Sequence, residues 1–235
     1  MREFRRPHHR IIGALLGALD GDFLEEAHCY FGGGTCIALL HGEYRESRDV
    51  DFLCADVDGF RRLRETVTSD SLGAIVRKPL ALAREVRADR DGIRTFVRQK
   101  GSITKIEILR EQRIALRAAA ESPFGVPMLN LDCLVAEKFL ANADGGADDS
   151  TQARDVVDLA YLAAQHGIRK LSPGLELAER AYGRVIMREL RRSLARLAGD
   201  RRFAAACAAG LGIEDTAPLR RGLATLRSFA TRRKT

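Results

Sequence analysis

The chain lacks any run approaching the ~18 consecutive apolar residues that a membrane span requires. Its longest apolar stretches, such as Ile11–Leu19, are short and broken by glycine. No secretory leader is expected either, since Arg2, Arg5, Arg6 and Arg10 follow Met1 and no cleavage pattern succeeds an apolar segment. The five cysteines (Cys29, Cys36, Cys54, Cys133, Cys207) form no CxxC pair, which argues against a disulfide scaffold or a cysteine zinc site. The histidines show neither HxxxH nor HExxH spacing, so no histidine metal site is expected. No GxxxxGK[ST] occurs, against a P-loop NTPase. Internal repeats and low-complexity segments are absent. These absences predict a cytoplasmic protein with reduced thiols and no membrane association.

What is present is a chain of 235 residues, 46% apolar and 30% charged, enough for one large domain or two small ones. Lys and Arg number 39 against 32 Asp and Glu, a net charge of +7. Residues 169–235 carry a net +10 and residues 1–168 a net −3. Such asymmetry suggests a polyanionic partner. Of the 39 cations 33 are Arg, however, and GC-rich coding would give the same excess without a partner.

Apolar spacing predicts a helix over 10–27, a strand at Cys29–Phe31 and a helix from Thr35 to Leu40. It then predicts a strand at Asp49–Cys54, a helix at Arg61–Val67, and strands at Leu82–Asp89, Ile93–Arg98 and Ile103–Leu109 around the Asp91-Gly92 and Lys100-Gly101 turns. Everything after Pro127 reads as helix: Leu129–Ala143, Thr151–His166, Leu175–Ala198, Arg202–Leu211 and Ala217–Arg232, with Gly145-Gly146 and Pro173-Gly174 as connections. The layout is α+β: an α+β domain over 1–126, then an all-helical domain over 127–235.

The densest chemical signal is Gly32-Gly33-Gly34-Thr35, followed by Arg45-Glu46-Ser47-Arg48-Asp49-Val50-Asp51-Phe52. Glycines between a strand and a helix let a ligand approach the backbone, and the helix N-terminus offers free N–H groups to an anion. A flexible turn with Thr35 as a plain N-cap fits the same residues. Asp49 and Asp51 alternate on a strand, so their carboxylates share a face while Val50, Phe52 and Cys54 take the other. Paired carboxylates call for a compensating cation, and hard oxygen donors suit Mg²⁺ or Mn²⁺. Glu107 supplies a third carboxylate if its strand neighbours theirs. Solvated edge acids, and a solvent-facing Lys105/Glu107 pair, are the plainer alternatives.

Leu131, Leu134, Val135, Lys138 and Asn142 fall on one helical stripe, which turns Lys138 inward. A buried ammonium needs an anion, either a carboxylate such as Asp155 or a nucleotide phosphate. Asp155 shares the stripe of Leu159 and Leu162 and points inward too. Arg154 and Asp158 are placed to form an i,i+4 surface pair. Arg180, Arg184, Arg188 and Arg191 recur every three or four residues along Leu175–Ala198, predicting a basic face for an acceptor.

Gly-Gly-x-Thr, a short helix and Arg-x-Ser-x-Asp-x-Asp-Phe together resemble the first motif of the polymerase-β-like nucleotidyltransferases. With Leu134-Val135-Ala136-Glu137-Lys138-Phe139-Leu140 and Ala153-Arg154-Asp155-Val156-Val157-Asp158-Leu159, the set resembles the AbiEii/AbiGii toxin branch over roughly residues 29–165. Glu107 departs from the Asp more usual at the third carboxylate. The resemblance implies a polymerase-β-like mixed sheet and metal-dependent transfer of an NMP from an NTP to an acceptor hydroxyl, releasing pyrophosphate. The metal ligands would be Asp49, Asp51 and Glu107. Gly33, Gly34, Thr35 and Ser47 would position phosphates, Lys138 would clamp the triphosphate, and Asp155 would orient it. Arg45 and Arg48 would assist or merely balance charge. It further implies an RNA acceptor, such as a tRNA 3′ end, and a toxin with a cognate antitoxin. A small-molecule nucleotidyltransferase and a catalytically inactive binding module are the alternatives.

Overall fold

The structure, a computed structural model, describes residues 3–145 and 153–233. Two compact units divide the chain: Met1–Glu43 with Ser47–Asn130, and Tyr44–Glu46 with Leu131–Thr235. The division falls after Asn130, four residues past the expected boundary, and the second unit also takes a three-residue piece from within the first.

The first unit opens with α1 (Pro7–Leu16) and α2 (Gly21–Glu26), where one continuous helix was expected. The break has a local cause. Gly17 caps α1, and the Asp20 carboxylate accepts the Phe23 N–H at 3.0 Å to start a new helix. There follow β1 (Cys29–Gly32), α3 (Gly33–Leu40), β2 (Val50–Cys54), α4 (Val57–Thr66), β3 (Leu82–Ala88), β4 (Gly92–Gln99) and β5 (Ser102–Arg110). The strands form one mixed sheet in the order β1-β2-β5-β4-β3. Only β2 and β5 pair in parallel; the other neighbours are antiparallel. Beyond β1, Pro127 and Leu129 exchange backbone hydrogen bonds with Phe31 at 2.8 and 2.9 Å, which covers that sheet edge. Phe31 anchors the core, 5.5 Å from the Phe52 ring and 5.4 Å from Phe124.

The second unit holds α5 (Leu131–Gly145), α6 (Arg154–His166), α7 (Ile168–Tyr182), α8 (Val185–Gly199), α9 (Arg201–Gly210) and α10 (Ala217–Arg232). α5 is central: nine of its fifteen residues are buried, Lys138 among them. α10 crosses α6 so closely that a Cβ on Gly222 would lie 1.8 Å from the Ala160 carbonyl oxygen. The helix expected over 175–198 is two helices. Pro173 lies inside α7, and the chain breaks at Gly183, whose φ of +59° ends the helix. The break dismantles the expected arginine row. Arg180 belongs to α7, Arg184 caps α8, and Arg191 is bound to the Ala230 and Arg233 carbonyls at 3.2 and 3.0 Å. No helix of the described residues is long and apolar enough to cross a membrane.

Candidate active site

The site in the first unit starts where β1 passes into α3. Gly33 has φ +68°, and a Cβ there would sit 2.5 Å from Asp51 Oδ2, so both conformation and space demand glycine. Gly32 is the register partner of Asp51 across β1 and β2, and Asp51 is that of Glu107 across β2 and β5. The sheet therefore brings Asp51 and Glu107 side by side on one face, beside the open N-terminus of α3, which has no side-chain cap and no acid in its first turn.

Thr35 and Ser47, expected as phosphate donors, hold the backbone of the acid strand. Thr35 is 1% exposed and donates to the Asp49 carbonyl at 2.5 Å. Its one hydrogen being so used, the 2.7 Å contact makes Ser47 Oγ the donor to Thr35. The Ser47 N–H in turn donates to His9 Nε2 at 3.1 Å. His9 must then carry its proton on Nδ1, which donates to Glu43 Oε1 at 2.8 Å, and Glu43 also accepts the Arg5 and Arg6 N–H groups. Burial depresses the His9 pKa, outweighing the Glu43 carboxylate that raises it. Burial alone would raise the pKa of Glu43; the Arg6 and Arg5 N–H groups and His9 bring it below its ordinary value. This relay was not read from the sequence, where a lone buried histidine far from the motif carries no pattern.

The Asp49 carboxylate has no hydrogen bond or ion pair among the described residues. Glu107 does: Lys105 Nζ lies 2.6 Å from one oxygen and Arg94 Nε 3.3 Å from the other. No group of three or more His, Cys, Asp or Glu among the described residues is gathered to hold a metal. The donor chemistry at Asp49 and Asp51, hard oxygens beside a cradle that any Cβ at Gly33 would fill, fits Mg²⁺ or Mn²⁺. Glu107 would have to exchange its two cations to join them.

The second unit holds a buried charge quartet. Lys138 Nζ lies 2.8 Å from Asp155 and 3.1 Å from Asp158. Arg45 grips both oxygens of Asp158 at 2.6 and 2.9 Å, and the Tyr44 hydroxyl donates to it at 2.6 Å. Tyr44 stacks on Tyr161 with centroids 3.6 Å apart. Two cations face two carboxylates, so the cluster is neutral. Burial would raise the pKa of Asp158, but Arg45 and Lys138 hold it down at about 2. Burial would lower that of Lys138, but Asp155 and Asp158 raise it above its usual value. Two expectations need correction. Asp158 is not in a surface pair with Arg154; it is completely buried at the centre of the quartet. Arg45, expected to assist at the Asp49 pair or balance its charge, pairs with Asp158 and belongs to this cluster. The inward orientation of Lys138 and Asp155 is as the helical stripes predict.

All five cysteines are buried, and burial raises the thiol pKa of Cys29 and Cys36, and that of Cys54 to about 11, which leaves these three inert.

Residues 15–224 match the family model described as the nucleotidyl transferase AbiEii toxin of type IV toxin–antitoxin systems. The chain belongs to the AbiEii family. Two crystal structures share the AbiEii chain's fold, a candidate nucleotidyltransferase from H. pylori and JHP933 from Helicobacter pylori. Each has a TM-score of 0.58 at 20% identity, covering 95% and 97% of this chain and 92% of its own. That likeness identifies the sheet and its helices as the polymerase-β-like nucleotidyltransferase fold. No curated protein sequence matches significantly. The AbiEii match spans both units and so includes the acid strand, the glycine turn and the quartet.

Proposed function

We propose that this AbiEii protein transfers a nucleoside monophosphate from an NTP to a hydroxyl of an RNA acceptor, such as a tRNA 3′ end, as the toxic partner of a cognate antitoxin. The observation that carries the reading is the register of Gly32, Asp51 and Glu107, with the Asp51 carboxylate against the Gly33 backbone. In the reaction the acceptor oxygen bonds to the α-phosphorus while the bond to the leaving pyrophosphate breaks. Asp49 and Asp51 would hold the divalent cation, which when bound offsets triphosphate charge and acidifies the acceptor hydroxyl.

The chain's own residues supply positioning. Gly33 and Gly34 open the backbone at the α3 N-terminus to phosphate oxygens. Thr35, Ser47, His9 and Glu43 fix the backbone that presents Asp49, so that its carboxylate waits in place. Glu107, between Lys105 and Arg94, is the acid that can accept a proton or release a cation to an anionic substrate. We assign Lys138 and Asp155 to positioning within the second unit, where Asp155 and Asp158 neutralise the ammonium.

The test is incubation of the purified protein with each α-labelled NTP, Mg²⁺ and total RNA. Label should enter RNA with the wild type and be lost with Asp49→Asn or Asp51→Asn, each still folded by circular dichroism. Turnover near the wild-type rate in either variant would overturn the assignment.

A further inference from the structure

One register row runs across all five strands: Gly32, Asp51, Glu107, Arg94 and Arg87. Register partners share a sheet face, so the row passes from the glycine turn through two acids to two arginines. A second row beside it places Lys105 opposite Phe96 and Phe96 opposite Arg84. Strict alternation would put Arg84 and Arg87, three apart, on opposite faces. The irregularity of β3 between them matches them to Phe96 and Arg94, two apart, and re-aims one arginine onto the face of the other.

Arg84, Arg87, Arg94, Phe96 and Lys105 line a cleft of about 370 Å³ over β3, β4 and β5, with Glu85 as the one carboxylate among the lining residues. Arg94 and Lys105 are shared with Glu107. Arg87 has no ion pair or hydrogen bond from its side chain among the described residues, and Arg84 has only its stack over the Phe96 ring, 4.5 Å from the centroid. Both arginines are exposed. Unpaired cations at a half-buried aromatic are the two halves of a single-stranded nucleic-acid site: charge for the phosphodiesters and a flat surface for a base. At ~4.8 Å per strand, the arginines of β4 and β3 lie ~10–14 Å from Asp51 along the sheet, beyond the phosphates of a nucleotide held at the glycine turn.

We propose that this cleft binds the backbone of the single-stranded acceptor, with one base stacked on Phe96 and Arg84, leading its reactive end toward Asp49 and Asp51. The proposal rests on the nucleotidyltransferase reading for the acceptor's direction but not for its binding.

The probe is a fluorescein-labelled single-stranded RNA octamer, its affinity measured by anisotropy across a KCl series. The variant Arg84→Gln/Arg87→Gln should bind at least tenfold more weakly and lower the slope of log K against log [salt] by ~0.7, the one phosphate contact of Arg87 on a single strand. Phe96→Leu keeps an apolar strand residue; it should weaken binding by roughly tenfold with the salt slope unchanged, because stacking releases no counterions. Binding of a fluorescent NTP analogue should be the same in all three proteins. The proposal is overturned if the wild type binds no octamer, if both variants keep its affinity and slope, or if NTP affinity falls in step with RNA affinity, which would make the cleft a triphosphate subsite. Octamer binding with the expected variant effects but no label transfer would leave the cleft standing and remove the nucleotidyltransferase reading instead.

Discussion

Asp158→Asn should be the most damaging isosteric change in the second unit. Its carboxyl titrates at about 2 in place of an ordinary 3.8, which alone contributes about 2 kcal/mol at neutral pH. The substitution also strands Arg45, which is 3% exposed and has no other carboxylate partner among the described residues. An uncompensated buried charge of that kind costs ~3–5 kcal/mol. Asp155→Asn should cost less, since Asp158 still lies 3.1 Å from Lys138. The sign with pH follows from the depressed pKa: the contribution is complete above pH 3.8 and is lost as pH falls toward 2. Urea melts of both variants and of Arg45→Met/Asp158→Asn measure this directly. The double variant removes the stranded charge and should recover part of the loss. Asp158→Asn within about 1 kcal/mol of wild type, or below Asp155→Asn in cost, would refute the quartet's neutral-pair logic.

Gly33→Ala should cost ~1–2 kcal/mol from its positive φ and displace the Asp51 carboxylate, so that nucleotidyl transfer falls further than stability does, as a thermal melt beside the labelling assay would show. His9 has its pKa lowered from 6.5, so the unfolded chain binds the extra proton first and stability should decline as pH falls below 6.5; His9→Gln should flatten that slope of melting temperature against pH. Glu43, lowered from 4.5, contributes above that value and is lost as pH falls below it, so Glu43→Gln should remove the more acidic part of the same profile.

Much of the fold was legible because its signals are local. Short non-helical apolar runs marked all five strands, and turn residues such as Asp91-Gly92 fixed the β3–β5 meander. The misses came where one side chain decides. Asp20 starts a new helix inside an apolar period that otherwise runs on to residue 27, and a period cannot show a cap used in that way. Pro173 was read as a boundary but lies in the second turn of α7, while the real break is at Gly183, where a positive φ rather than a proline ends the helix. Each arginine of the supposed row has a correct spacing and a wrong context. A helix wheel assumes one helix, and the wheel breaks with the chain.

At the candidate site, residue types were readable and partners were not. Asp49, Asp51 and Glu107 announce themselves by alternation, and the parallel pairing of β2 with β5 supplies the register that the sequence leaves open. The motif stretch from Glu43 to Asp49, by contrast, reads as one basic and acidic run while its members serve different units. Glu43 and Ser47 bond to His9 in the first, and Arg45 bonds to Asp158, 113 residues away, in the second. An arginine four residues before an acid pair invites assignment to that pair, because proximity in sequence is the only proximity a sequence displays. The buried carboxylate that claims Arg45 was itself read as a surface helix residue, since i,i+4 spacing to Arg154 satisfied it on paper. One error thus required the other: with Arg45 placed at the acid strand, nothing remained to bury Asp158. The quartet becomes visible only when α6 closes on Tyr44–Glu46, and charge neutrality then accounts for all four of its members at once.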